Sequence, residues 1–402
     1  MAVRVFGWMR AVVPVVAAAL LAAPLPAGSA QATPQDVLIF GSTSDVETMD
    51  PQVTVDNIGI AGINARAAAE VSAQKGHDLF LFNWPPPSFE EQAVDMRDVY
   101  TELERKFGRP IDLAVKSTYN PKTKKYFAFS PSFTPDPVNY RQDLFGAVGM
   151  PQGPRSWEDV RRKGADEAGN LALDSKQTLE ALKFVKALFQ EAMTPEVFTW
   201  DASSNNRAML AGRISVALNA ISITREAERT NPKIVSPASK KEIELKREIG
   251  LTKALRGPVR AIGLEHVMNC YVIWKFAENI EGAKKFLIDY TTNFREAFLA
   301  GQFYDFPCFQ KTVPDLVKLL AHDPKASPPD KYKVLEDVLD WATNVGFPGY
   351  SNAAVDEIFN TWVLNVMFAK AASGSATPEE ALKEAVAACQ RIFAKWKEKG
   401  LV

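Results

Sequence analysis

FTWDASSNNRAMLAGRISVALNAISITR, residues 198–225, is the stretch on which the reading of this chain turns. It divides into a loop, a helix, a tight turn, a strand and a second loop. Ser203 or Ser204 is placed to cap the helix, because a serine hydroxyl accepts a bond from a first-turn N–H that has no partner within the helix. Gly212 sits where a helix commonly closes through a left-handed residue. From Arg213 to Asn219 the chain alternates, which predicts a strand with Ile214, Val216 and Leu218 on one face. The strand runs out into Asn219, Ala220, Ile221 and Ser222. In open α/β sheets, ligands sit beyond the carboxyl ends of strands. Trp200 and the pair Asn205–Asn206 add an aromatic face and amides. The combination suits a neutral hydroxylated ligand and contains no obvious catalyst.

The rest of the chain fits that reading. At 402 residues it exceeds the size at which single cores stop growing, so two domains are expected. The formal net charge of −1 supplies no basic field for nucleic acid or an anionic membrane. The first thirty residues read as a secretory signal peptide: Arg4 and Arg10, the apolar run Ala11 to Leu25, then Gly28-Ser29-Ala30 before Gln31. The alternative is a retained membrane anchor, which the shortness of the apolar run disfavours. Three widely spaced cysteines, Cys270, Cys308 and Cys389, make no disulfide framework and read as small buried apolar residues.

Strands alternate with helices along the chain, which predicts the α/β class. Val37 to Gly41 and Val53 to Asp56 are short strands, and Ala61 to Lys75 is a helix stopped at Gly76. HDLFLFNW, residues 77–84, holds a continuous apolar run that fits a parallel strand covered on both faces, and it empties into Asn83, Trp84 and three prolines. Phe89 to Phe107 is helical, and YNPKTKK, residues 119–125, turns between strands. SPSFTPDP, residues 130–137, is a proline-limited crossing, and Tyr304 to Pro307 is a second one. Ser156 starts a helix with a capping-box-like pattern, and Ser175 to Met193 is amphipathic. Asn279 to Tyr290, Lys331 to Ala342 and Asp356 to Ala372 are helical. Thr377-Pro378-Glu379-Glu380 is a capping box before the last helix.

Three histidines, His77, His266 and His322, stand at no metal spacing such as HExxH. There is no phosphate-binding loop, no GxGxxG and no GxSxG elbow, so no metal and no cofactor is expected. Carboxylates are plentiful; Asp136 and Asp201 are the acidic residues nearest an aromatic strand-end context, and Asp201 reads equally well as a cap.

The stretches GHDLFLFNW, YNPKTKKYFAF, NYRQDLF, SWEDV, SSNNRAMLAGRISVALN and NIEGAKKFLIDY, in this order and spacing, resemble the extracellular solute-binding proteins, family 1, of bacterial ABC importers. The resemblance runs from about Val53 to Val402. It implies a two-lobed periplasmic binding protein fold, each lobe a mostly parallel sheet flanked by helices and joined by a hinge. Residues 31–135 plus 256–306 would form the N-terminal lobe, and 136–255 plus 307–402 the C-terminal lobe. It implies a monomer that captures a sugar or polyol in the periplasm and hands it to a membrane permease, with no catalysis. Hinged closure about a ligand is the handling mode of such receptors.

By position, the resemblance implies that Asn83 and Trp84 form the wall of the first lobe and that Phe133 and Asp136 line the first crossing. Asn219 and Ser222 follow the second-lobe strand, with Trp200 nearby. His266 falls near the return crossing, and Phe347, Tyr350 and Asn352 lie on the last loop. Relatives often place an aromatic near Ser222. Two segments are shorter than the resemblance leads one to expect, around Ser42–Gln52 and around Gly164–Gly169. Other readings are a peptide receptor, suggested by SDVETMDP, a secreted carbohydrate-active enzyme with a cleft-facing carboxylate pair, and a shortened paralogue that binds nothing.

Overall fold

The computed structural model describes residues 40–41, 57–147, 149–155, 173–257 and 260–402. The expected signal peptide, the strands begun at Val37 and Val53, the 42–52 stretch, the helix start at Ser156 and the junction at 164–169 lie outside the described residues, apart from Phe40 and Gly41.

The apolar run after His77 forms the strand Leu79–Phe82, buried along most of its length. It pairs parallel with Phe40–Gly41 and antiparallel with Cys270–Val272, Cys270 facing Phe82. The helices Arg97–Phe107 and Ile280–Thr292 pack against each other beside it. The largest core is strongly aromatic here, with Trp274 against Phe80, Phe82 and Phe89 at ring separations of 5.7, 6.2 and 5.9 Å.

A second sheet places Val138–Arg141 between Ile249–Thr252 and Val216–Leu218, both neighbours antiparallel. Met209, Ala217, Ile223, Ala227, Leu245 and Ile249 form the core beneath it. A third sheet joins the crossings: Ser132–Thr134 pairs antiparallel with Val267–Met268 on one side and Phe306–Pro307 on the other. Only Pro135, Asp136 and Pro137 separate this sheet from the second. A separate apolar core gathers the helices Lys176–Ala192, Ala353–Asn360, Val363–Ser373 and Pro378–Glu398.

The expectation of mostly parallel sheets is corrected. Among the described residues only Phe40–Gly41 with Leu79–Phe82, and Gly263–Leu264 with Ala342–Thr343, pair in parallel. Parallel neighbours need a long crossover between them, which the helix Asn57–Ala73 supplies for the first pair. Elsewhere the described pairs are antiparallel, either local hairpins such as Tyr119–Asn120 with Lys125–Tyr126 and Lys233–Val235 with Glu242–Glu244, or partners brought from distant parts of the chain.

The face of the strand after Gly212 is also corrected. The ordered strand is Val216–Leu218, and it is Ala217 that turns inward while Leu218 is 47% exposed. The ladder with Val138–Arg141, rather than side-chain size, decides which residue points in. Gly212 does close the preceding helix, with φ +70. Neither Ser203 nor Ser204 caps that helix through its hydroxyl; Asp201 instead fixes the turn that leads into it, accepting from the Ser203 N–H at 3.0 Å and the Ser204 hydroxyl at 2.7 Å.

Three predicted helices are different objects. The segment from Phe89 splits into a 3-10 turn, Pro87–Gln92, and the helix Arg97–Phe107, because Lys125 Nζ draws on the carbonyls of Glu90 and Ala93. Between Lys331 and Trp341 the chain makes 3-10 turns, Lys331–Leu335 and Val338–Asp340. Tyr332, Leu335, Val338 and Trp341 are all buried; a spacing of three throughout is the period of a 3-10 helix, where i and i+3 eclipse. The segment from Asp356 is two helices, Ala353–Asn360 and Val363–Ser373, broken where Trp362 adopts φ +60. The capping box at Thr377 forms as the sequence predicts, Ser175 and Asn279 also cap their helices through side-chain oxygens, and all three cysteines are buried free thiols.

Candidate functional site

The candidate residues meet along the crossings. Leu79–Phe82 ends at Asn83, whose carbonyl accepts the Met268 N–H at 2.8 Å, so the strand end is fixed beside the return crossing. Trp84 follows and donates its indole N–H to the His266 carbonyl at 3.2 Å. Its ring lies 5.2 Å from Phe359 at 60°. Trp84, together with Asn64, Asn83, Asp356 and Asn360, lines a narrow cleft.

His266 continues the line. Its N–H donates to the Thr134 carbonyl at 2.9 Å, and its Nδ1 lies 3.3 Å from Asp136 Oδ1. Asp136 belongs to the three-residue link between sheets. The next residue, Pro137, accepts the Asn219 N–H at 3.3 Å, which sets the end of the Val216–Leu218 strand against the same link. Asn219 is buried, and its amide donates to Asn206 Oδ1 and to Ser222 Oγ at 3.3 Å. Asn206 Nδ2 also donates to Ser222 Oγ at 3.0 Å. A continuous run of polar and aromatic groups therefore passes from Trp84 through His266, Asp136 and Asn219 to Asn206 and Ser222. Asn206 and Ser222 are partly exposed at its end.

The last loop joins the run through Glu265. The Glu265 N–H donates to the Thr343 carbonyl at 2.9 Å, and Glu265 Oε1 accepts the Val345 N–H at 3.0 Å. Within the loop, the Asn344 amide donates to the carbonyls of Val345 and Gly349 at 3.0 and 3.1 Å. Phe347 lies under the Arg260 guanidinium, 4.8 Å from ring centre to Cζ, and Tyr350 lies edge-on to Tyr119. Asn352 caps the helix Ala353–Asn360, accepting from the N–H groups of Ala354 and Val355. That helix delivers Phe359 to Trp84.

Two residues stand elsewhere. Phe133, expected to line the first crossing as a solute contact, lies on the crossing strand but is 1% exposed and packs on Phe306 at 6.0 Å, so its side chain is inside the core. It occupies the inward face of a strand sandwiched between two others. Trp200 follows the 3-10 turn Pro195–Thr199 and is partly exposed, but no contact above joins it to the run.

Sequence reasoning left out several groups. Asn206 was quoted only for its amide, yet it closes the hydrogen-bonded trio with Asn219 and Ser222. Asp356 accepts from the Ser88 N–H at 3.1 Å and from Asn360 Nδ2 at 2.5 Å, and burial pushes its carboxyl up to about 6. Asp305 accepts from Thr134 Oγ1 at 2.7 Å and Asn269 Nδ2 at 3.0 Å; burial raises it, against the pull of those bonds. Burial pushes Glu265 up to about 8, with the negative Asp136 adding to the effect. Each of these acids has a partner far away in sequence, Ser88 for Asp356, Thr134 for Asp305 and Val345 for Glu265, which no local signal marks.

No family model matches the chain, and no curated protein matches it in sequence. Solved structures do. A sugar transporter protein from Arthrobacter chlorophenolicus A6 with bound laminaribiose shares 14% identity over 81% of this chain and 88% of its own, with a TM-score of 0.63. The maltose-bound MalE3 of T. maritima shares 19% identity over 83% and 89%, TM-score 0.63. An ABC transporter solute-binding protein from Agrobacterium radiobacter K84 in complex with ribitol shares 17% over 83% and 89%, TM-score 0.60. At these identities the likeness is one of fold: the chain has the fold of these solute-binding proteins.

Proposed function

We propose that this chain is the exported solute-binding component of an ABC importer, which captures a sugar or polyol between two lobes and delivers it to a membrane permease. The observation that carries the reading is the run from Trp84 to Ser222. It sets an aromatic face, a histidine–aspartate pair and an amide–hydroxyl trio along the links between sheets. Apolar rings against sugar C–H groups, with a few fixed polar groups, are the usual means of recognising such solutes. The fold likeness to proteins solved with laminaribiose, maltose and ribitol supports the same solute class.

The lobes proposed are 31–135 plus 256–306 and 136–255 plus 307–402, with the links at Asp136 and Tyr304 as hinge strands. A solute touching both sides favours the closed form only by its differential affinity for closed over open. The reading is of a binder rather than an enzyme: Asp136 pairs with His266, Asp305 is engaged with Thr134 and Asn269, Asp356 with Ser88 and Asn360, and Glu265 through one oxygen with Val345. Among the described residues no helix is long and apolar enough to cross a membrane. Residues 1–30 would direct the chain to the periplasm, where it would work as a monomer.

The test is a thermal-shift screen of the chain from Gln31 onward against mono- and disaccharides and polyols. A ligand binding only the folded state at 100 times its Kd adds about 2.7 kcal/mol, a readable rise in Tm. A cooperative transition that none of these compounds moves would overturn the reading.

A further inference from the structure

Glu265 is the best-buried acid of the crossings, 1% exposed, and its two oxygens differ. Oε1 accepts the Val345 N–H at 3.0 Å, while Oε2 is buried without a hydrogen-bond partner among the described residues. No cation pairs with it there. Its backbone is pinned between two segments: its own N–H donates to the Thr343 carbonyl, and the next residue's N–H donates to Thr134. Thr343 Oγ1 donates in turn to the Gly263 carbonyl at 2.9 Å. The Val345 N–H, at the start of the 344–351 loop, is thus held by a side chain from the segment that leads into Val267–Met268. Downstream the loop is tied to other elements through the Ser351 N–H to the Lys116 carbonyl, Lys116 Nζ to the Pro348 carbonyl and Arg260 over Phe347, and to itself through the Asn344 amide, the Phe347 N–H and the Ser351 hydroxyl.

We propose that Glu265 is a positioning residue that sets the 344–351 loop against the 134–136 crossing, and that ionisation of its buried carboxyl releases the loop. The inference rests on the receptor reading only in treating Phe347 and Tyr350 as part of a solute site. The groups that feel the Glu265 charge are acidic or neutral: Asp136 from the first crossing, itself beside His266, and the thiols of Cys270 and Cys308. None offsets a negative charge directly. An ionised Glu265 would stand buried with one unpartnered oxygen near Asp136, a state that moving the loop to admit water relieves. Burial raises the carboxyl from 4.5 to about 8, so opening the loop to water releases a proton, and protection is lost as pH rises from about 4.5 to about 8 and levels off above that.

The experiment is hydrogen exchange of the full chain, without solute, at pH 7 and pH 9, corrected for base-catalysed intrinsic exchange. It compares wild type, Glu265→Gln and Glu265→Leu. Because opening releases the proton that the closed form holds, wild-type protection of the 344–351 amides is expected to fall about tenfold between pH 7 and pH 9, most of it below pH 8. Glu265→Gln keeps an acceptor for Val345 and is expected to hold its protection at both pH values. Glu265→Leu is expected to lose it at both. Equal pH profiles for wild type and Glu265→Gln would overturn the proposal, as would full protection in Glu265→Leu. Should Glu265→Leu not fold, the Gln comparison decides alone. Because no solute is present, failure here leaves the receptor reading standing, and failure of the sugar screen leaves this one standing.

Discussion

Trp84 donates its indole N–H to the backbone carbonyl of His266 at 3.2 Å, although the two residues lie 182 positions apart. The bond ties the aromatic that ends the Leu79–Phe82 strand to the return crossing, and through His266 to Asp136. Its ring meanwhile lies against Phe359, on the helix that Asn352 caps. Trp84 is therefore the point at which the first sheet, the return crossing and the last loop converge.

That placement makes Trp84→Ala the most informative substitution. It removes the stacking face and leaves the His266 carbonyl free for water. The expected outcome is solute affinity weakened at least several-fold, with far-UV circular dichroism unchanged. Trp84→Phe, which keeps a ring but not the N–H, should fall between. An unchanged Kd in Trp84→Ala, measured by titration calorimetry, would remove the residue from the site.

Asn206→Ala tests the other end of the run. Asn219 is buried, and the substitution deprives its amide of one acceptor. Leaving a buried donor unsatisfied costs about 1–3 kcal/mol, so the variant should melt earlier as well as bind more weakly. Ser222→Ala leaves the Asn219–Asn206 bond in place and should cost less in stability. Denaturant melts of the two variants beside the wild type measure the difference; equal losses would mean that the trio does not act through Asn206.

Asp356 gives a pH signature of known sign. Burial raises its carboxyl from 3.8 to about 6, so between these values the folded state holds a proton that the unfolded state has released. Stability contributed by the neutral form is fully present below 3.8 and is lost as pH rises through about 6. The shift corresponds to about 3 kcal/mol at most. Asp356→Asn cannot ionise, so its stability relative to wild type should climb between about pH 4 and pH 6 and then level off. A difference that stays flat across that window would mean that Asp356 titrates normally.

The parts of the fold legible in the sequence are those fixed locally. Gly212 closes a helix because it can adopt φ +70, and Asn279 and Thr377 cap helices through amides three residues away. The parts that were not legible are set by distant partners. Leu218 reads as an inward residue by size, yet the Val138–Arg141 ladder turns Ala217 in instead. Phe133 is placed on the first crossing by the resemblance, yet Met268 and Phe306 pair with it from both sides and bury it. Trp84, Asn219 and Ser222 stood out because strand ends concentrate polar and aromatic residues; Glu265 and Asp305 did not, because only Val345, Thr134 and Asn269 give them a role. The split of the Asp356–Ala372 helix has its visible sign in the positive φ of Trp362, which no residue pattern announces.

Thr377→Ala checks the capping box of the last helix. The Thr377 hydroxyl accepts the Glu380 N–H at 3.2 Å, and the Glu380 carboxylate accepts the Thr377 N–H at 2.9 Å. Both groups are exposed, so only the cap itself is lost, at about 1 kcal/mol. The helix Pro378–Glu398 carries much of the C-terminal core, including Phe393 and Trp396, so the loss should appear in the global melt. Solute affinity should not change, and a change would place this helix nearer the site than its packing does.

The largest stability effect is expected at Arg225, one turn into the helix that begins at Ser222. Its guanidinium pairs with Glu228 at 3.1 Å and Asp323 at 2.7 Å, donates to the Gln302 carbonyl at 2.9 Å, and lies 3.9 Å from the Tyr332 ring centre. Glu228 is also held by Lys331 and by the Tyr332 hydroxyl. Arg225→Met keeps the bulk but leaves Asp323 buried without this cation, and removing one partner of a buried pair costs about 3–5 kcal/mol. Arg225→Lys keeps the charge but loses the fork that reaches two carboxylates and a carbonyl together, so it should recover only part of the loss. Gln302 and Phe303 both have positive φ, 51 and 69 degrees, directly before the Tyr304–Pro307 crossing, and Arg225 is the side chain that holds the Gln302 carbonyl in that turn. If the turn depends on Arg225, hydrogen exchange in Arg225→Lys should rise first at residues 301–305, ahead of the second sheet. Uniform loosening of the whole chain would instead make Arg225 a general core contact with no particular hold on the crossing.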